Sequence, residues 1–171
     1  MPVSPPTEEF SYTLRIPKER IAVLIGTGGE VKKQIESEMK VALHIDSKEG
    51  TVTLSGKDAI NLYTTREMVL AIGRGFNPDV AKLLVKQDYG IEIISLQDYA
   101  KTDNDLIRLR GRIIGEDGKS RKTIESLTNT NICVYGKTIA IIGELETIPL
   151  ARRALGALLA GSTHSAVYHM L

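Results

Sequence analysis

Apolar residues alternate with polar ones at Tyr12, Leu14 and Ile16, a period of two that predicts a half-buried strand, and Pro17 then stands where a helix starts. The short helix is Lys18 to Ile25, and a second helix runs on to about Met39. Two strands follow, Val41 to Ile45 and Thr51 to Leu54, joined across the polar turn Asp46-Ser47-Lys48-Glu49-Gly50. Later in the chain the same periods return. After the capping cluster Asp103-Asn104-Asp105, Leu106, Leu109 and Ile113 fall at helical spacing. The next helix reaches about Thr128, the strands are Thr130 to Val134 and Thr138 to Ile142, and a longer helix has Ile148, Ala151, Leu155, Leu158 and Leu159 on one face.

This return is an internal repeat, a feature to be sought before any local motif. An offset of 89 residues carries Gly26 onto Gly115, Gly29 onto Gly118, Lys33 onto Lys122, Ile35 onto Ile124 and Glu36 onto Glu125. It also places Leu43 on Ile132 and Ile45 on Val134, and after a turn two residues shorter, Gly56 meets Gly143 and Arg66 meets Arg153. The chain is a duplicated module. Strand, helix, Gly-x-x-Gly, helix, strand, strand, helix is the order of a type I KH domain (βααββα), an α+β unit whose three-stranded antiparallel sheet packs on three helices. Gly73-Arg74-Gly75-Phe76-Asn77-Pro78 breaks the chain between copies, and Asp79 to Lys86 reads as a connecting helix. The expected plan is a tail over 1–10, a first domain over 11–88 including the connecting helix, and a second domain over 89–171.

Composition narrows the partners. Of 171 residues 42% are hydrophobic and 25% charged, an ordinary globular balance, and no apolar run or leader pattern predicts a membrane segment. The single Cys133 offers no disulfide framework, which suits a reducing cytoplasm. Twenty-two Lys and Arg against 21 Asp and Glu leave a net charge of +1, so any nucleic acid must be held by a local patch. With no Trp, two Phe and six Tyr, material for the aromatic platforms of many RNA-binding sheets is scarce.

The two loops are where that patch belongs. Each joins the end of one helix to the start of the next, so a backbone phosphate can approach free amides at the positive end of the second helix, and corner glycines let it come close. The simpler alternative is a helix-to-helix turn with a glycine cap. Gly118-Lys119-Ser120 imitates the end of a nucleotide-binding loop, but Ile113 stands where that motif needs a glycine; Gly26-Thr27-Gly28 imitates a dinucleotide fingerprint, but Val31 stands at its last glycine. Arg108 to Glu125 holds six bases and three acids, whereas Lys18 to Glu36 holds four and three, so the second module is expected to supply the main RNA grip. The predicted contacts are Gly26, Thr27, Gly28, Gly29, Lys32, Lys33 and Leu43 in the first module. In the second they are Arg108, Arg112, Gly115, Glu116, Asp117, Gly118, Lys119, Arg121, Lys122 and Ile132. His44, His164 and His169 have no second ligand at metal spacing, and Cys133 has no base partner, so neither a metal nor a cofactor nor a catalytic residue is expected.

Leu109-Arg110-Gly111-Arg112-Ile113-Ile114-Gly115-Glu116-Asp117-Gly118-Lys119-Ser120-Arg121-Lys122-Thr123-Ile124-Glu125, with Ala71-Ile72-Gly73-Arg74-Gly75-Phe76 between the modules, resembles the small-subunit assembly factors called Partner-of-Nob or Dim-two, in their archaeal form. The resemblance covers nearly the whole chain after the first ten residues. It implies a two-KH protein that binds the 3′ region of small-subunit ribosomal RNA, cooperates with a Nob-type endonuclease and is linked to the α subunit of translation initiation factor two. It also puts Leu43 and Ile132 at the floor of a nucleotide groove. Lys32 and Arg121 replace the apolar residue common in other KH domains, the first loop lacks the usual lysine, and Gly161-Ser162-Thr163-His164-Ser165 stands where a Pro-rich stretch is expected. Two other functions fit a pair of KH modules. One is an accessory subunit of an RNA-decay or exosome complex, which would normally carry an added β-barrel domain; the other is a protein-interaction scaffold.

Overall fold

Two three-stranded antiparallel sheets organise the computed structural model, which describes residues 9–171. The described residues divide into two units, one ending at Gly73 and the other beginning at Arg74; of the tail expected over 1–10, residues 1–8 lie outside the described residues and Phe10 already opens the first strand. In the first, β1 (Phe10–Arg15), α1 (Lys18–Ile25), α2 (Glu30–Met39), β2 (Ala42–Asp46), β3 (Thr51–Gly56) and α3 (Ala59–Gly73) follow the predicted order, with β3 central in a β1-β3-β2 sheet. The strands pair Tyr12 and Leu43 with Leu54, and Leu14 and Ile45 with Val52. That face, buried at Leu43, Val52 and Leu54, exposed at Tyr12 and completed by Leu24 from α1, Ile35 from α2 and Leu62, Met68 and Ile72 from α3, holds the core. Burying each such side chain stabilises the module by about 1.5–3 kcal/mol. The opposite face carries Ser11, Thr13, His44, Thr53 and Ser55 and stays accessible.

The second unit repeats the plan with β4 (Tyr89–Ser95), α5 (Asp103–Ile114), α6 (Lys119–Thr128), β5 (Asn131–Tyr135), β6 (Thr138–Glu144) and α7 (Ile148–Leu159), its sheet ordered β4-β6-β5. The core is formed by Leu109, Ile113, Ile124, Ile132, Ile139, Ile141 and the apolar stripe of α7. Thr102 caps α5, its hydroxyl accepting the Asp105 N–H at 3.1 Å. In both modules the helix after the loop ends on a left-handed residue that is not glycine, Lys40 (φ 54°) and Asn129 (φ 52°). These tight ends send the chain straight into β2 and β5.

The connector is shorter than a helix over 79–86. Asn77 accepts the Val80 N–H at 3.0 Å, Pro78 opens α4 (Pro78–Ala81), and residues 82–85 tighten into a 3-10 turn that sets the buried Ala81 and Leu84 on one side. Expected from the sequence to belong with the first domain, this segment packs on β4 and β6 and falls in the second unit. The reason is apolar surface: Ala140 and Ile142 lie on the sheet face opposite Ile139 and Ile141, yet are fully buried. Gly75, at φ 107°, comes so close to β5 that a Cβ there would sit 2.6 Å from Cys133 Sγ, which accounts for Cys133 as a packed strand residue. A further helix, His164–Met170, closes the unit and buries Val167.

Candidate nucleic-acid interface

The two Gly-x-x-Gly loops have nearly the same backbone. Gly26 and Gly115 sit at φ 76°, ψ 174° and φ 75°, ψ 174°, a region open almost only to glycine. A Cβ on Gly115 would lie 2.7 Å from the Ser120 backbone nitrogen, and one on Gly26 would lie 2.9 Å from that of Val31. The first glycine of each loop is therefore a structural corner. Gly29 and Gly118 are left-handed (φ 79° and 75°), but a Cβ on either meets only ordinary contacts, chiefly Lys33 Cε at 3.7 Å and Lys122 Cε at 3.6 Å. Gly28 and Asp117 share the remaining left-handed position, a conformation that glycine and aspartate adopt more readily than most residues.

Beyond each loop, α2 and α6 begin at Gly29 and Gly118 with no side-chain cap; the Gly29 and Gly118 amides donate to the Gly26 and Gly115 carbonyls at 3.2 Å, and the first helical amides, of Glu30 and Lys119, donate to the Thr27 and Glu116 carbonyls. The first turn of α6 contains no acid, whereas that of α2 contains Glu30. Lys33 and Lys122 reach back over their own loops, and Thr27, Gly28, Glu116, Asp117 and Lys119 are exposed around them. In the first module a cavity of about 400 Å³ runs from Gly29 past Lys32 and Lys33 to Leu43 and His44 on β2. Leu43, 4% exposed, lines this cavity, and its counterpart Ile132, 3% exposed, belongs to the core of the second module. His44, for which the sequence offers no second ligand at metal spacing, lines this cavity.

Other predicted residues are drawn into the framework. Arg112 turns away from its loop: its Nε donates to the Leu158 carbonyl at 2.8 Å and its Nη2 to the Ser162 carbonyl, tying α5 to the end of α7. Arg108 is exposed and 3.7 Å from Asp105. Arg121 donates to Glu125 at 2.7 Å, and Lys32 stands 3.9 Å from Glu36. The excess of positive charge counted around the second loop thus resolves mainly into Lys119 and Lys122 at the loop itself. Sequence reasoning missed Glu36 and Glu125 as site residues, although their coincidence under the 89-residue offset was the available signal. The Arg112→Ala variant should lower the stability of the second module by about 1–3 kcal/mol, the cost of carbonyls left without a donor, while RNA affinity changes less than twofold or so. Urea unfolding beside an RNA titration checks this.

Comparison with known proteins agrees with this geometry. A KH domain matches residues 11–71, and a eukaryotic-type (type I) KH domain, the second one of the PNO1 set, matches residues 90–171. A KH domain-containing protein of Methanocaldococcus jannaschii is 50% identical over 162 residues, 92% of this chain and 71% of that one. An RNA-binding protein pno1 of Dictyostelium discoideum is 32% identical, covering 96% of this chain and 71% of its own. The chain belongs to the Pno1/Dim2 family of two-KH proteins. Among solved Pno1/Dim2 structures, Dim2p of Pyrococcus horikoshii superposes with a TM-score of 0.89 at 42% identity, over 94% of this chain and 97% of that one. The P. horikoshii protein also stands in a complex with ribosomal RNA and the α subunit of initiation factor two, again at a TM-score of 0.89. Among the described residues no group of His, Cys, Asp or Glu could hold a metal ion, and no helix is long and apolar enough to cross a membrane.

Proposed function

We propose that this chain binds single-stranded ribosomal RNA during biogenesis of the small ribosomal subunit, with the 3′ region as its target. The observation that carries this reading is the pair of glycine-cornered loops with nearly the same backbone angles, each leading into a helix start without a side-chain cap, the first beside a groove lined by Leu43. Phosphates are held by first-turn amides and by Lys33, Lys119 and Lys122; bases lie against Leu43 and Ile132. Relatives named pre-rRNA-processing protein PNO1 and the P. horikoshii complex with rRNA support the assignment. The same complex supports the α subunit of initiation factor two as a partner; a Nob-type endonuclease is the second partner proposed. The chain itself supplies binding and not catalysis, and it works in the cytoplasm.

Fluorescence anisotropy with an oligonucleotide of the small-subunit rRNA 3′ end tests the reading. Binding should weaken with salt, and removing Lys119 or Lys122 singly should flatten the log–log salt slope by about 0.7, the single-strand value per phosphate contact. Absence of binding at low salt by folded protein would overturn it. Incubated with magnesium or manganese, the purified chain should leave rRNA intact until an endonuclease is added; cleavage abolished by a point substitution in this chain would show catalysis of its own.

A further inference from the structure

The second module has a cavity of about 330 Å³ on the side of its sheet away from β5, the strand proposed to meet RNA. It is lined by Ile94 of β4, by Tyr99, which follows the 3-10 turn Leu96–Asp98, and by Pro149, Arg152, Arg153 and Gly156 of α7. Ile94, Pro149 and Gly156 make it partly apolar, while two guanidinium groups and a phenol supply donors and no carboxylate lines it. Arg152 is already ion-paired with Glu92 of β4. Arg153 is exposed and has no hydrogen bond, ion pair or ring contact among the described residues.

The first module shows what is missing here. Beyond the shorter turn, where Arg66 meets Arg153, Glu67 meets Ala154 and Val69 meets Gly156. Arg66 lies over the Tyr12 ring at 5.7 Å, and Val69 is fully buried. In the second module Glu92 faces Ile141 across the sheet as Tyr12 faces Leu54, so the ring is gone and its arginine is released. Gly156 brings no side chain to the place that Val69 fills.

An unpaired guanidinium beside apolar surface suits an anion carried on an apolar scaffold. Its fork matches a carboxylate or a phosphate, and the Tyr99 hydroxyl adds a donor. Position and surroundings favour the carboxylate. β4 pairs with β6 alone and is the sheet edge opposite β5, so its outer side offers N–H and C=O groups to another extended polypeptide, a ladder that RNA cannot complete. Leu150, exposed on α7, adds apolar area, and arginine and tyrosine beside such surface are the residues that dominate protein-binding hot spots.

We infer that this cavity docks an extended acidic segment of a protein partner. The segment adds a strand to β4, sets an aliphatic side chain against Ile94 and Pro149, and places an aspartate or glutamate carboxylate on Arg153. Because the site lies on the sheet edge away from β5, RNA and partner can be held at once.

Nuclear magnetic resonance of the isotope-labelled full chain, titrated with acetyl-Thr-Val-Thr-Asp-Thr-amide, tests this. Valine and aspartate fall on one face of that peptide when it is extended. Signals of the β4 amides and of Arg153 Nε should shift, and the aspartate peptide should bind at least about tenfold more tightly than its asparagine version, the scale of one charge-assisted hydrogen bond. Arg153→Glu should erase that preference. Gly156→Val should weaken the peptide by about tenfold or more by filling the cavity, the scale of one lost aliphatic contact. The fold should tolerate it, since a Cβ at Gly156 meets nothing closer than the Tyr99 hydroxyl at 4.0 Å and valine suits a helix better than glycine. Both variants should keep the RNA affinity of the wild type. Absence of shifts at millimolar peptide, equal affinity for the aspartate and asparagine peptides, or an undiminished response in folded Gly156→Val overturns the inference. So does an rRNA oligonucleotide that moves the Arg153 signal and displaces the peptide, which would make the cavity a second RNA contact.

Discussion

The Gly118→Asp variant is expected to keep its fold and lose RNA affinity by about ten- to a hundredfold, the cost of one charge-assisted hydrogen bond or slightly more. Gly118 is left-handed at φ 75°, ψ 11°, a conformation that aspartate adopts more readily than most residues. A Cβ there finds Lys122 Cε at 3.6 Å and nothing closer. The new carboxylate would stand at the start of α6, where the first-turn amides are proposed to receive phosphate, and would compete with it for Lys122. Circular dichroism should be unchanged, and the thermal midpoint should move only by the few degrees that about 1 kcal/mol implies in a domain of this size. The equivalent Gly29→Asp variant should lose less affinity, because Glu30 already places an acid in the first turn of α2. A larger loss at Gly29 than at Gly118 would move the principal grip to the first module.

Gly115→Ala is expected to behave in the opposite way, losing about 2–6 kcal/mol of stability in the second module before RNA enters the question. Two costs add. The backbone at φ 75°, ψ 174° is nearly closed to any residue with a Cβ, costing about 1–3 kcal/mol, and overpacking costs about 1–3 kcal/mol more. The overlap cannot be relieved by a side chain, since the added carbon would stand 2.6 Å from Ser120 Cβ and 2.7 Å from its backbone nitrogen. A double aspartate change at Gly115 and Gly118 would therefore confuse unfolding with loss of binding. Urea denaturation of the single alanine variants at 115 and 118 should show the difference; equal stabilities would refute the structural division between the two glycines.

That division shows what a motif can and cannot convey. Two glycines three apart announce the turn, but which one is cornered against the next helix depends on ψ, and residue type does not report ψ. The βααββα order was legible because turn residues and apolar periods change at every boundary and do so twice. The first strand of the second module was not located: the offset of 89, correct from Gly115 onward, sets Tyr12 against Lys101, which lies outside β4. The structure places β4 at Tyr89–Ser95, with a 3-10 turn at Leu96–Asp98 and a 12-residue α5 where α1 has eight residues. Charge counting likewise placed Arg112 at the RNA because a sum over sequence cannot see direction, and Arg112 points toward α7. The closing helix His164–Met170 was overlooked because its opening residues are polar and only Val167 is buried.

The connector that packs on the second sheet bears on how the protein is made. Phe76, Ala81 and Leu84 leave the translating ribosome well before β6, which includes Ala140 and Ile142. At about 5–20 residues per second the first module is complete and free to fold while its trailing apolar segment waits several seconds for the strands that cover it. During that interval the nascent chain exposes a sticky stretch directly behind a finished domain, the kind of surface that early chaperones recognise.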